Sequence, residues 1–129
     1  EGYMGRLRCV QEISAVTAAC MMVKTSVFKA VGGFDEELKV AFNDIDLCMK
    51  VRKYGVKIVF TPYAELYHYE SKSRGMEDTP EKQLRFSREV NCFRRKWERE
   101  LLKGDPYYNP NLTLNNTDCS LRKQEKNGD

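Results

Sequence analysis

The sequence predicts a mixed α/β domain: short strands, flanking helices and one long C-terminal amphipathic helix. Three observations carry this. Residues 13–23 and 57–69 combine apolar with β-branched or aromatic side chains, the mark of strands. Phe86, Val90, Phe93, Trp97 and Leu101 recur at spacings of four, three, four and four, one stripe along a helix. Between these lie helix starts and stops, with Asn43 before an acidic turn, Gly55 after it, and Thr79-Pro80-Glu81 ahead of the stripe.

The first strand is read over residues 13–23, ISAVTAACMMV, as a buried element in which Val16 and Thr17 supply β-branching. The alanines leave a helix open there. The crowd of small side chains (Ala15, Thr17, Ala18, Ala19) suits tight core packing or the close approach of a ligand. Thr25 or Ser26 is expected to cap a short helix over residues 27–31, which Gly32 ends. Residues 32–54, GGFDEELKVAFNDIDLCMKVRKY, form the centre of the chain. A helix is expected to open at Asn43 as N-cap, with Asp46 reaching back toward the cap and Ile45, Cys48 and Val51 as its apolar face. Residues 57–69 then read as two short strands, or a strand and a turn, broken by Pro62. Residues 70–78 make a polar loop, and the long helix fills residues 80–103 before Gly104 and Pro106 stop it. Residues 1–121 are taken as the domain and residues 122–129 as a polar, disordered tail.

Length and composition narrow the function. The 129 residues are 41% hydrophobic and 32% charged, as in an ordinary soluble domain with a real core. A net charge of +3 is too small to imply a nucleic-acid partner. No run of about 18 apolar residues is present to span a membrane. The five cysteines are odd in number and scattered, which fits a reducing, cytoplasmic setting and argues against a cysteine-built zinc site. Cys20, Cys48 and Cys92 lie among apolar residues, where a thiol serves as a small core group. The helix over residues 80–103 carries eight Lys or Arg and four Glu. That basic face is a solvated surface or a seat on an anionic membrane. The chain opens without an initiator Met or a signal-peptide pattern, and the expectation is that it is cut from something longer.

Few residues are equipped for chemistry. Asp44 and Asp46 sit in a first helical turn, where free backbone N–H groups and the positive end of the helix dipole favour carboxylates for purely structural reasons. As chemistry they offer a metal-binding pair or a general base. Asp44, aimed out of the helix end, is the better base; Asp46 is the better structural acid. His68, the single histidine, follows an aromatic stretch and leads into the polar loop. It is a structural residue or a ligand for a divalent metal. Ser71, Lys72, Ser73 and Arg74 beside Gly75 make a donor-rich loop, ordinary surface or a hold on a diphosphate. No glycine-rich phosphate loop and no strand–GxGxxG–helix unit occurs.

Taken together, VTAACMMVKTSVFKAVGGFDEEL, AFNDIDLCMKVRKYG, IVFTPYAELYHYESKSRG and DPYYNPNLTL closely resemble the C-terminal half of family-2 glycosyltransferases with the GT-A fold. The match runs from about Ile13 to Leu114. The resemblance implies a partial GT-A domain from an inverting, metal-dependent enzyme of surface polysaccharide synthesis. Asp44 takes the position of the catalytic base, and His68 that of the ligand to a divalent metal (Mn²⁺ or Mg²⁺) on the donor diphosphate. Ser73 and Arg74 correspond to diphosphate contacts. Thr17, Ala18 and Asn43 lie near donor sugar or acceptor. The family's nucleotide-binding half and its separate D-x-D precede this region and are not in this sequence.

The partners implied are a nucleotide-sugar donor and a saccharide or lipid-linked acceptor, with no nucleic acid. Peripheral contact with the inner face of the membrane is a further expectation. Alone, the chain is expected to be inactive and to associate as a homodimer through the face and edge left by half a sheet. The competing reading is a non-catalytic saccharide-binding or assembly module.

Overall fold

The structure, a computed structural model, describes residues 3–69 and 79–122. In chain order its elements are a 3-10 turn (Tyr3–Arg8), β1 (Gln11–Glu12), a second 3-10 turn (Ala18–Cys20), α1 (Thr25–Ala30), α2 (Asn43–Lys53), β2 (Val59–Phe60) and α3 (Pro80–Lys103). The expected mixed sheet is, among the described residues, one antiparallel pair. β1 lies against β2 with Gln11 opposite Phe60 and Glu12 opposite Val59, and Ile13 N–H extends the pairing to Ile58 O at 3.1 Å.

The long apolar stretch after β1 is not the buried strand expected over residues 13–23. It turns at Ala18–Cys20, and Thr17 through Cys20 are exposed. Side-chain oxygens take the backbone donors that a ladder would have used: Thr17 Oγ1 accepts from Ala19 N–H and an Asp44 oxygen from Ala18 N–H. Cys20 is thus a surface thiol rather than a core group, whereas Cys48 is buried and Cys92 packs at the core edge.

α1 and α2 stop by the same device. Gly32 N–H donates to Lys29 O and Gly33 N–H to Phe28 O, the two reversed bonds of a Schellman ending. Gly55 N–H to Arg52 O and Val56 N–H to Val51 O repeat it. Gly32 and Gly55 have φ of 81° and 91°, where a side chain would be strained. Gly33 is needed on a second count, since a Cβ there would stand 3.1 Å from the Phe28 ring.

The helix starts differ from expectation in two of three cases. α1 is preceded by Lys24 and has no side-chain cap; Thr25 and Ser26 are already helical. α2 begins after Phe42, whose φ of 64° is left-handed, so Asn43 is the first helical residue rather than the cap. Phe42 bears this strained backbone because its ring stacks on Phe93, 5.1 Å between centroids, and lies 5.9 Å from Phe86. The start of α3 is as expected, with Pro80 at its first position and Thr79 Oγ1 accepting from Lys82 N–H.

The core forms where α3 crosses residues 33–42 and α2. Leu38, Phe93 and Trp97 are buried together, with Phe42, Met49 and Cys92 packed around them. On α2 the buried set is Asp46, Leu47, Cys48 and Val51. Ile45, expected on the apolar face, is 36% exposed, and Leu47 takes its place. Only the middle of the α3 stripe is covered; Phe86 and Leu101 remain exposed.

After β2, Thr61 Oγ1 accepts from Tyr63 N–H and the chain turns at residues 62–63, the strand-and-turn alternative. Beyond α3 the C-terminal stretch returns to the start of the chain. Tyr107 Oη donates to Glu12 Oε2 at 3.0 Å, Arg6 Nη2 donates to Tyr107 O at 3.2 Å, and Arg52 sits over the Tyr107 ring. Leu112 pairs with Leu121 in an isolated bridge, and Arg122 N–H donates to Asn111 O. The rest of the expected tail lies outside the described residues. No helix of the described residues is long and apolar enough to cross a membrane.

Candidate active site

The left-handed turn at Phe42 aims the first turn of α2 at the Ala18–Cys20 turn. Asp44, partly buried there, accepts from its neighbour Ile45 N–H through Oδ1 at 2.8 Å and from Ala18 N–H through Oδ2 at 3.1 Å. One turn further on, Cys48 Sγ lies 3.7 Å from Val16 O as a second tether between the same two segments. Burial pushes the Cys48 thiol up, and the nearby Asp44 charge adds to this. Buried and bonded to a backbone carbonyl, Cys48 serves here as a packing group.

These tethers bring four of the sequence-derived site residues into one corner. Asp44 is bonded to Ala18, Thr17 caps the turn that Ala18 opens, and Asn43 adjoins Asp44 at the helix start. Each Asp44 oxygen keeps a second lone pair after its backbone bond, so the carboxylate can still accept a hydroxyl proton. The corner is open, because Thr17 and Ala18 are exposed.

Asp46, two residues on, has the opposite surroundings. It is 0% exposed and accepts from Trp97 Nε1 at 2.8 Å through Oδ1. Lys96 Nζ also lies 2.8 Å from Oδ1, and Lys50 Nζ lies 2.8 Å from Oδ2. The expectation that Asp46 serves the fold holds, but its partners are two ammonium groups and an indole, not the cap. A buried carboxylate needs such neutralising company. Lys96 also pairs with Asp35, and Lys50 donates to Gly33 O at 3.0 Å. Burial alone would lower the Lys96 pKa, but its bonds to Asp35 and Asp46 outweigh that and raise it. The same Lys96 bond, helped by Glu37 N–H, holds Asp35 below the usual carboxylate range.

Sequence reasoning placed Trp97 in the apolar stripe and gave Lys96 and Lys50 no part. The signal was available in outline. Asp46 and Lys50 stand four apart on one helix, and a core Trp must find an acceptor for its N–H.

His68 is exposed, close to the end of the described stretch. A divalent cation of the Mg²⁺ type takes about six ligands, mostly oxygens. Among the described residues no group of three or more His, Cys, Asp or Glu side chains gathers to hold a metal ion. These residues therefore do not build that centre by themselves. Ser73 and Arg74 lie outside the described residues.

Residues 4–90 match the model of the glycosyltransferase-like family 2. Protein y4gI of Sinorhizobium fredii is 58% identical over 121 residues, 93% of this chain and 13% of that protein. The O-antigen biosynthesis protein RfbC of Myxococcus xanthus is 39% identical over 115 residues, 89% of this chain and 9% of its own length. An N-acetylglucosaminyl-diphospho-decaprenol L-rhamnosyltransferase of Mycobacterium tuberculosis is 36% identical over 62 residues, 48% of this chain and 20% of that enzyme. The chain thus spans at most a fifth of the length of these relatives. No solved structure matches it. With two thirds of its length under the family model and these segments of larger proteins aligned to it, the chain belongs to the glycosyltransferase-like family 2.

Proposed function

We propose that this chain is the acceptor-side part of a GT-A type, inverting glycosyltransferase, with Asp44 as its general base. The observation that carries the reading is the Asp44 carboxylate, held at the opening of α2 by the amide of Ala18 in an exposed turn. A fixed carboxylate at an open helix end suits deprotonation of an incoming hydroxyl. In the reaction the acceptor oxygen attacks the anomeric carbon of a nucleotide sugar as Asp44 takes its proton. The new C–O bond forms opposite the breaking bond to the diphosphate, which leaves with its electron pair. Thr17, Ala18 and Asn43 border the attacking group. Ser73 and Arg74 are assigned to the leaving diphosphate. His68 is assigned as one ligand of a donor-bound divalent cation whose other ligands come from the donor and the rest of the longer protein.

The relatives' names, O-antigen synthesis and rhamnosyl transfer to a diphospho-decaprenol, support a surface polysaccharide role and a lipid-linked acceptor. α3 exposes Leu84, Phe86, Leu101 and Leu102 among its Lys and Arg side chains, which supports peripheral contact with the inner membrane face. The many exposed apolar side chains support self-association of the isolated chain as a homodimer. Light scattering with and without anionic vesicles tests both, and a monomer that ignores vesicles refutes both.

The test of the base is Asp44→Asn in the full-length protein, assayed as nucleoside diphosphate released from a panel of UDP-, GDP- and dTDP-linked sugars in the presence of acceptor. Turnover is expected to fall by about 10²–10⁴-fold with donor binding unchanged. Near-normal turnover removes Asp44 from the role. The isolated 129-residue chain is expected to release none.

A further inference from the structure

We infer that Trp97, Lys96 and Asp46 form a positioning device that sets where the Asp44 carboxylate points; the inference rests on the reading of Asp44 as base. Asp44 and Asp46 share one turn of α2, so whatever fixes the depth and rotation of that turn fixes both. The Asp46 end is fixed from α3, where Trp97 Nε1 and Lys96 Nζ each reach Oδ1 at 2.8 Å. At the Asp44 end the carboxylate reaches out to Ala18 N–H.

The geometry of α3 supports more than packing. At Trp97 the helix departs from helical backbone, with φ −113° and ψ 18°. A continuous helix would be the lower-energy course for this residue, and a kink inside a helix has an identifiable cause. Here the departure coincides with the residue whose indole N–H meets the buried acid. Lys96, next to it, reaches both Asp46 and Asp35. The residues 33–42 that lead into α2 are held by the same helix, since Glu89 also accepts from Ala41 N–H at 2.7 Å. The left-handed Phe42, the pivot of the turn, stacks on Phe93 of α3. Glu89, Phe93, Lys96 and Trp97 thus restrain the entry to α2 from α3, and Trp97 and Lys96 join the Lys50 ion pair in acting on the turn that carries Asp44.

The Ala18 amide reports on the device directly, because its hydrogen bond exists only while Asp44 points at it. In the full-length protein, Trp97→Phe keeps a ring in the core and removes the N–H donor. Lys96→Met keeps the stem and removes the charge. For each, hydrogen exchange in the peptide over residues 16–20 is expected to quicken about tenfold, with residues 48–53 unchanged. For the nucleotide sugar turned over fastest in the panel above, kcat is expected to fall about tenfold with KM within about twofold. Unchanged exchange at residues 16–20 in both variants overturns the inference. So does a rise spread evenly over α2 and α3, which is what a merely structural role gives. Should Trp97→Phe unfold the protein, Lys96→Met decides, since that side chain is 31% exposed and outside the apolar core. Loss of turnover in Asp44→Asn beside unchanged exchange in these variants removes the device and leaves the base. Normal turnover in Asp44→Asn removes the base whatever the exchange shows.

Discussion

The corner where α2 meets α3 and the stretch over residues 61–69 are both rich in aromatic side chains, yet the chain treats them in opposite ways. In the corner, Phe42, Phe93 and Trp97 are drawn into one core, and a fully buried acid is answered by an indole and two ammonium groups. Along residues 61–69 every residue but Pro62 is exposed, with Tyr63 at 86% and Tyr67 at 92%. Each region carries a residue assigned to catalysis, Asp44 in the first and His68 in the second. The difference teaches that the chain's own packing presets the candidate base, whereas the candidate ligand stands on a solvent-exposed stretch. Asp44 arrives already aimed.

The comparison can be broken at its strongest point by Phe93→Ala. Losing that ring from beside Leu38, Trp97 and Phe42 is expected to cost about 3–5 kcal/mol, read by denaturant unfolding of the chain. A cost under about 1 kcal/mol would mean the corner is not the rigid half of the molecule. A smaller effect follows from pH. The Asp35 pKa is lowered by Lys96, so its contribution is present above its ordinary value of 3.8 and is lost as pH falls through the depressed folded value. The Lys96 pKa is raised, so its contribution is complete below 10.5 and is lost as pH climbs through the elevated folded value. These two groups leave stability level between those two pH values and lower it beyond each, while the raised Cys48 and Cys92 thiols add an alkaline loss that begins at their ordinary value of 9.0. In Lys96→Met both drops shrink, and the alkaline loss that remains is that of the thiols. Smallest of all is Tyr67→Ser, expected to change stability by no more than about 0.5 kcal/mol, since the ring is almost wholly in solvent. A larger loss would show that the exposed stretch is anchored after all.

What was legible in the sequence follows from local rules. Thr79-Pro80 announced α3 because a hydroxyl cap and a proline act within one turn. Gly32 and Gly55 announced the ends of α1 and α2 because a left-handed residue is needed there whatever packs nearby. Asp44 was legible as the acid aimed out of the helix end, and Asp46 as a structural acid, though its partners are on α3 and Lys50 rather than at the cap. The expected strand over residues 13–23 failed because its backbone donors were claimed by oxygens, one of them from Asp44, 26 positions away. The N-cap at Asn43 failed because stacking on Phe93 holds Phe42 in a conformation that local preference disfavours.

By itself, then, the sequence determined the helices and their stops, the family, and the acid that faces outward. These depend on interactions within a few residues or on motifs kept together in the chain. The tertiary structure decided which residues hold that acid in place. Trp97 lies 51 positions from Asp46 and Ala18 lies 26 from Asp44, and no local preference encodes either separation. Only the crossing of α3 over α2, set by the burial of Leu38, Phe93 and Trp97, brings an indole N–H to a carboxylate that would otherwise be costly to bury.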